Sequence, residues 1–135
     1  MIALNEKSTV ILQQLISMID QDSEHIELDG SSIPETSITL ENMGDMEPGF
    51  TITWALTHYN KVNGDMPANP QIRIGELDGK FYPLSYRNDF LEDYQEVMPD
   101  PFSHDQHINE LLQQEIAEFV NEWLDKILVQ QGLRS

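Results

Sequence analysis

The segment Phe50-Thr51-Ile52-Thr53-Trp54-Ala55-Leu56-Thr57-His58 puts Phe50, Ile52, Trp54, Leu56 and His58 on one face at period two. Successive side chains of a strand point to opposite faces, so such a run is a strand whose apolar face belongs to a core. The chain must therefore build a sheet and lay something over it. Shorter alternating pieces, His25-Ile26-Glu27-Leu28 and Ser37-Ile38-Thr39-Leu40-Glu41, read as one-faced strands, with Asp29-Gly30 as a two-residue turn. Residues 72–77 and 81–86 flank Asp78-Gly79, the strongest hairpin signal in the chain. Pro83 has no N–H to give to a ladder, so the second arm is expected at a sheet edge or bulged there. Asn63-Gly64 reads as a turn, and residues 66–70, with two prolines, as a loop.

Two segments carry helical periodicity. Around residues 7–19, Leu4, Ile11, Leu12, Leu15, Ile16 and Ile19 recur at helical spacing until Asp20-Gln21-Asp22-Ser23 ends the helix. A longer helix is expected from Ser103, which with Gln106 forms a capping-box pattern, to about residue 130, where Gly132 can close it. Its apolar stripe is Ile108, Leu112, Ile116, Phe119, Val120, Trp123 and Ile127, and Trp54, Trp123 and Phe119 are assigned to the core. The order helix, strands, helix predicts a single α+β domain over residues 1–135. It has an antiparallel, meander-like sheet of about four to five strands packed against an N-terminal and a long C-terminal α-helix. The alternative is a more open sheet whose second face carries a partner.

Composition narrows the chemistry. The 135 residues contain no cysteine, which removes disulfide scaffolds, zinc ribbons and thiol catalysis. The first residues carry no basic leader, and no stretch approaches the ~18 apolar residues of a membrane span, so a soluble cytoplasmic protein is expected. Against 24 Asp and Glu stand 7 Lys and Arg, a net charge of -17, which repels nucleic acid and anionic lipid. Between Arg87 and Lys126 lie eleven acids and no Lys or Arg, the acids including Asp89, Glu110, Glu118, Glu122 and Asp125. The last four fall on the side of the C-terminal helix opposite its apolar stripe. Such a row either keeps a small protein soluble or presents carboxylates to a basic surface at spacings comparable to phosphates.

Catalytic signatures are scarce: the chain has no nucleophile elbow, Walker loop, dinucleotide fingerprint or H-E-x-x-H. Asp20-Gln21-Asp22-Ser23-Glu24 starts like a calcium loop, but His25 and Ser31 stand where glycine and a bidentate glutamate are required. His104 and His107, with Asp100, Asp105 and Glu110 near, fit a solvated helix start better than a metal site, so no metal or other cofactor is assigned. His58 reads as a partly buried histidine rather than a base. A polar cluster of His58, Asn63, Asp65, Asn88 and Asp89 permits a small ligand pocket, although each residue also has a turn or capping explanation.

The pieces His58-Tyr59-Asn60-Lys61-Val62-Asn63-Gly64-Asp65, Gly79-Lys80-Phe81-Tyr82-Pro83-Leu84-Ser85-Tyr86-Arg87-Asn88-Asp89 and Tyr94-Gln95-Glu96-Val97, with Pro70, Trp123 and Gln131-Gly132, carry a resemblance over about half the chain. They are similar to an uncharacterised family of small domains on bacterial plasmids, integrative elements and phages. The chain departs from that pattern at residues 66–72, where relatives tend toward Asp-Pro-Glu-Met, and at Leu91-Glu92, where glycine is usual. The resemblance implies a mobile-element context and no mechanism.

The expectation is thus a non-enzymatic acidic accessory protein that binds a basic protein, as a nucleic-acid mimic acting on a host defence or DNA-processing protein would. Its partner-binding residues are Asp89, Glu110, Glu118, Glu122 and Asp125. The competing expectation is a ligand-binding or hydrolytic domain at His58, Asn63, Asp65, Asn88 and Asp89.

Overall fold

A computed structural model describes residues 1–19, 23–28, 38–45, 47, 49–59, 68–89, 91–98 and 107–131. The elements are α1 (Glu6–Ser17), β1 (His25–Leu28), β2 (Ile38–Asn42), β3 (Ile52–Tyr59), β4 (Ala68–Leu77), β5 (Lys80–Asn88), β6 (Asp93–Glu96) and α2 (Glu110–Gln131). The strands form one sheet in chain order, β1 to β6, every neighbouring pair antiparallel. This is the expected α+β meander with one strand more than expected. The added strand, β6, is four residues long, with two acids and an exposed Tyr94, so its composition carries no buried face.

Both helices cover the same face. Ile11, Leu12 and Leu15 of α1 and Ile116, Val120, Trp123, Leu124 and Ile127 of α2 join Leu40, Trp54, Leu56, Ile72, Ile74 and Phe81 of the sheet in one core. The apolar face of β3, with Ile52, Trp54 and Leu56, therefore lies where the helices pack. Phe50, expected on that face, instead precedes the strand and turns to the other side of the sheet, because the chain bends before Ile52 and Gly75 leaves room there for its ring. Asn5 caps α1 by accepting from the Ser8 N–H at 2.7 Å. The start of α2 differs from the expected one. Residues 107–109 are not helical, and the Ser103 capping box lies outside the described residues. Asn109 takes the capping role, its Oδ1 accepting from Leu112 N–H at 3.0 Å, while its own N–H donates to the Val97 carbonyl at 3.0 Å and so ties the helix start to the chain beyond β6.

Two prolines sit inside the sheet, each beside a register shift. Pro83 lies on β5, an interior strand; Arg73 pairs with Ser85 and Ile74 with Pro83, which leaves Leu84 as the extra residue of a bulge. Residues 66–70 are not all loop, because β4 begins at Ala68; Asn69 and Pro70 together oppose His58 between the Thr57–Gln71 and Tyr59–Ala68 pairs. A doubled residue absorbs the missing N–H in both places.

Part of the sheet's second face is occupied by the chain itself. A Cβ built on Gly75 would lie 2.6 Å from the Phe50 ring, which also meets Tyr82 at 6.0 Å between centroids. Beside them Arg73 donates to Ser85 Oγ at 2.9 Å, Glu47 at 2.8 Å and Glu96 at 2.6 Å, joining the segment before β3 to β4, β5 and β6. No helix among the described residues is long and apolar enough to cross a membrane.

Candidate functional site

The five residues of the polar cluster have separate fates. His58 is buried near the end of β3. Asn88 is buried at the end of β5, where its Nδ2 donates to the Tyr86 hydroxyl at 3.3 Å and its Oδ1 accepts from Leu91 N–H at 3.2 Å, the work of a turn residue. Asp89 accepts from Ala68 N–H at 2.7 Å and from Arg87 Nε at 2.8 Å, with the Tyr94 hydroxyl at 3.4 Å, while its own N–H donates to the Ala68 carbonyl at 2.9 Å. Arg87, then the Ala68 amide, holds the Asp89 carboxyl below the usual carboxylate range. A carboxylate so committed clamps the end of β5 to the start of β4 and is poorly matched to proton transfer near neutral pH. Asn63 and Asp65 lie outside the described residues.

The acids assigned to partner binding divide in two. Glu110, Glu118, Glu122 and Asp125 all lie exposed on the solvent side of α2, as the spacing predicts, and Glu115 joins them. Asp89 does not: its partners Arg87 and Tyr94 pair across β5 and β6 and alternate onto the face away from α2. Within the helical row, Glu110 meets the Met1 amino group at 3.1 Å and Asp125 meets Lys7 of α1. Glu115, Glu118 and Glu122 form no ion pair among the described residues. The middle of the row is thus the part without an ion pair among the described residues. Leu111 and Val129, each more than 70% exposed, lie near its ends.

Sequence reasoning missed two features of α2. Phe119, assigned to the core, is 41% exposed; it sits at the margin of the buried stripe and contacts Tyr86 and Trp123 edge-on and tilted, with centroids 6.1 and 5.9 Å away. Gln113 is fully buried, its Nε2 donating to the Pro83 carbonyl at 3.1 Å and its Oε1 accepting from Ile2 N–H at 2.6 Å. The signal was present, since Gln113 stands three residues before Ile116 and seven before Val120 on the apolar stripe. No group of three or more metal-ligating side chains occurs among the described residues, and His104 lies outside them.

Comparison with known proteins gives one match. No curated protein and no solved structure is similar to this chain. A family model described as a domain of unknown function, DUF6908, matches residues 10–133, from the middle of α1 through the whole sheet and α2, and the chain belongs to that family.

Proposed function

We propose that this protein is a non-enzymatic, cytoplasmic accessory protein of a mobile genetic element. It binds a basic protein through the solvent face of α2 and occupies that protein's nucleic-acid surface. The observation that carries the reading is the open middle of the helical row: Glu115, Glu118 and Glu122 stay exposed and without an ion pair among the described residues, in a chain of net charge -17. Steps of three and four residues along α2 advance ~4.5 to 6 Å per carboxylate. One DNA strand rises ~3.4 Å per phosphate, so the helix offers a sparser anion row of the same order. The resemblance of residues 58–97 to domains of plasmids, integrative elements and phages supports the mobile-element setting.

The test compares two charge reversals of equal size. Glu118→Lys with Glu122→Lys alters the open row and leaves the Met1 and Lys7 ion pairs of α2 intact. Glu24→Lys with Glu27→Lys makes the same change in net charge at exposed positions at the start of the sheet. Basic proteins retained by the wild type from the source cell should be released by added salt and displaced by duplex DNA. The first variant should lose them, and the second should keep them. Equal losses in the two variants, or DNA and this protein bound together on the same partner, would refute the reading.

A further inference from the structure

Where α2 overhangs the last two strands, a cleft of about 170 Å³ opens between Tyr86, Asp93 and Gln95 on the sheet side and Leu112, Glu115 and Phe119 on the helix side. Its helical wall follows from spacing, because residues 112, 115 and 119 share one ridge at steps of three and four. Its strand wall follows from pairing, because Tyr86 opposes Gln95 and Asn88 opposes Asp93, so the side chains of all four point toward the helix layer. Gln95 Nε2 donates to both Asp93 carboxylate oxygens at 2.9 Å, which holds that half-buried carboxylate in place. Across the gap Glu115 is exposed, and the Tyr86 and Phe119 rings stand at 89° to one another. Two carboxylates and two aromatic rings face a space with no lysine or arginine among the described residues that line it.

The reverse side of the same two strands shows what that combination accommodates. There the Arg87 guanidinium lies 5.6 Å from the centroid of the Tyr94 ring while its Nε donates to Asp89 at 2.8 Å. Ring, carboxylate and guanidinium form a complete set within the chain on that side. On the helix side the ring and the carboxylates recur without a cation among the described residues that line the cleft. A planar guanidinium suits this lining better than an ammonium, since it can lie on a ring face and donate in its own plane to carboxylates on both walls. We propose that the cleft between α2 and β5–β6 binds the guanidinium of a single arginine side chain supplied by a basic partner. The inference adds an anchoring point to the acidic-face reading, and it is tested with a small molecule so that the two can fail separately.

The probe is N-acetyl-arginine amide, titrated at physiological salt into the labelled full chain and followed by NMR at the Gln95 side-chain amide, the Phe119 ring and the Trp123 indole, which touches Phe119. The lysine analogue and the uncharged, near-isosteric citrulline analogue serve as comparisons. The arginine probe should give saturable shifts confined to these groups, the lysine probe weaker ones, and the citrulline probe none. Glu115→Gln changes an exposed side chain and spares the fold; it should weaken the arginine probe roughly three- to tenfold. Phe119→Leu, which removes a ring face, should weaken it roughly two- to fivefold. Glu118→Gln with Glu122→Gln should leave it unchanged. Citrulline binding as well as arginine, shifts that spread over the acidic surface without saturating, or an unaltered Glu115→Gln variant would each overturn the proposal. If the probe fails while Glu118→Lys with Glu122→Lys still abolishes retention of basic proteins, the cleft inference falls and the acidic-face reading stands.

Discussion

Gln113→Leu tests the packing of α2 more sharply than any apolar truncation, because it keeps side-chain bulk and removes only polar function. In the wild type this amide is fully buried and bridges two distant parts of the chain, the Pro83 carbonyl in the β5 bulge and the Ile2 N–H before α1. The Pro83 carbonyl bond is buried, so an unmatched oxygen there costs about 1–3 kcal/mol. Ile2 is only part-buried, so water can replace its lost bond, and the net loss is about 0.5–1.5 kcal/mol. Burying a leucine in place of an amide returns about 1 kcal/mol. The expected destabilisation is therefore about 2 kcal/mol, read as a shift of the urea midpoint with an unchanged slope. Gln114→Leu, one position along on the exposed side of the helix, should stay within about 0.5 kcal/mol of wild type. If Gln113→Leu also stays within about 0.5 kcal/mol, or if the two variants are equally destabilised, the bridge does not hold the helix to the sheet as argued.

Asp89 is held below the usual carboxylate range by Arg87 and the Ala68 amide. Its ionised form thus stabilises the fold above the ordinary aspartate value near ~3.9, and that contribution is lost as pH falls through the lower folded value. Asp89→Asn should be less stable than wild type by a constant amount from neutral pH down to ~4, with the gap closing below that. Denaturation at a series of pH values checks this, and a gap that persists to the acid limit would contradict it. Gly75→Ala brings a methyl within 2.6 Å of the Phe50 ring and should cost about 1–3 kcal/mol, most of it recovered when Phe50→Leu is added. With -17 net charge, the melting temperature should rise between low and moderate ionic strength; no rise would mean the acids are locally compensated.

What could be read from the residues follows the strength of the local signal. Period-two alternation in residues 52–58 and the Asp78-Gly79 turn identify β3 and the β4–β5 hairpin, because one face meets the helices and the turn demands positive φ, which Asp78 and Gly79 both adopt. Phe50 continues the pattern in sequence but not in space, because it precedes the strand. β6 escaped, since an edge strand of four residues packs too few apolar atoms to leave a pattern. The start of α2 was misplaced because Ser103 and Asn109 both carry the chemistry of a cap, and only tertiary contact selects Asn109, through its backbone bond to Val97. The solvated row of α2 was legible from phase alone, but not the neutralisation of Glu110 and Asp125, which depends on where Met1 and Lys7 of a distant segment come to rest. The cleft was not legible at all, because Asp93 and Glu115 read as two more acids in a strip until the strand and the helix are set face to face.

The placement of the few bases separates structural acids from the others. Lys7 ties α1 to Asp125 on α2, the amino terminus ties Met1 to Glu110, and Arg73 gathers Glu47, Ser85 and Glu96 across the sheet's second face. Arg87 fixes Asp89 at a strand end. Three of these four ties join different elements, and each sets a cation against self-repulsion where elements must meet. Exposed ion pairs are worth little one by one, so their value here lies in which acids they remove from the free surface. Of the five acids on α2, Glu115, Glu118 and Glu122 are left without an ion pair among the described residues, and Glu115 turns toward the aromatic cleft. Exposed acids such as Glu24, Glu27 and Glu92 are likewise in no ion pair among the described residues, but they are scattered over strands and turns, whereas those of α2 form one row on a rigid element. A surface that must meet a positive partner is served by such a row, because neutralising it from within would cancel the field that attracts the partner.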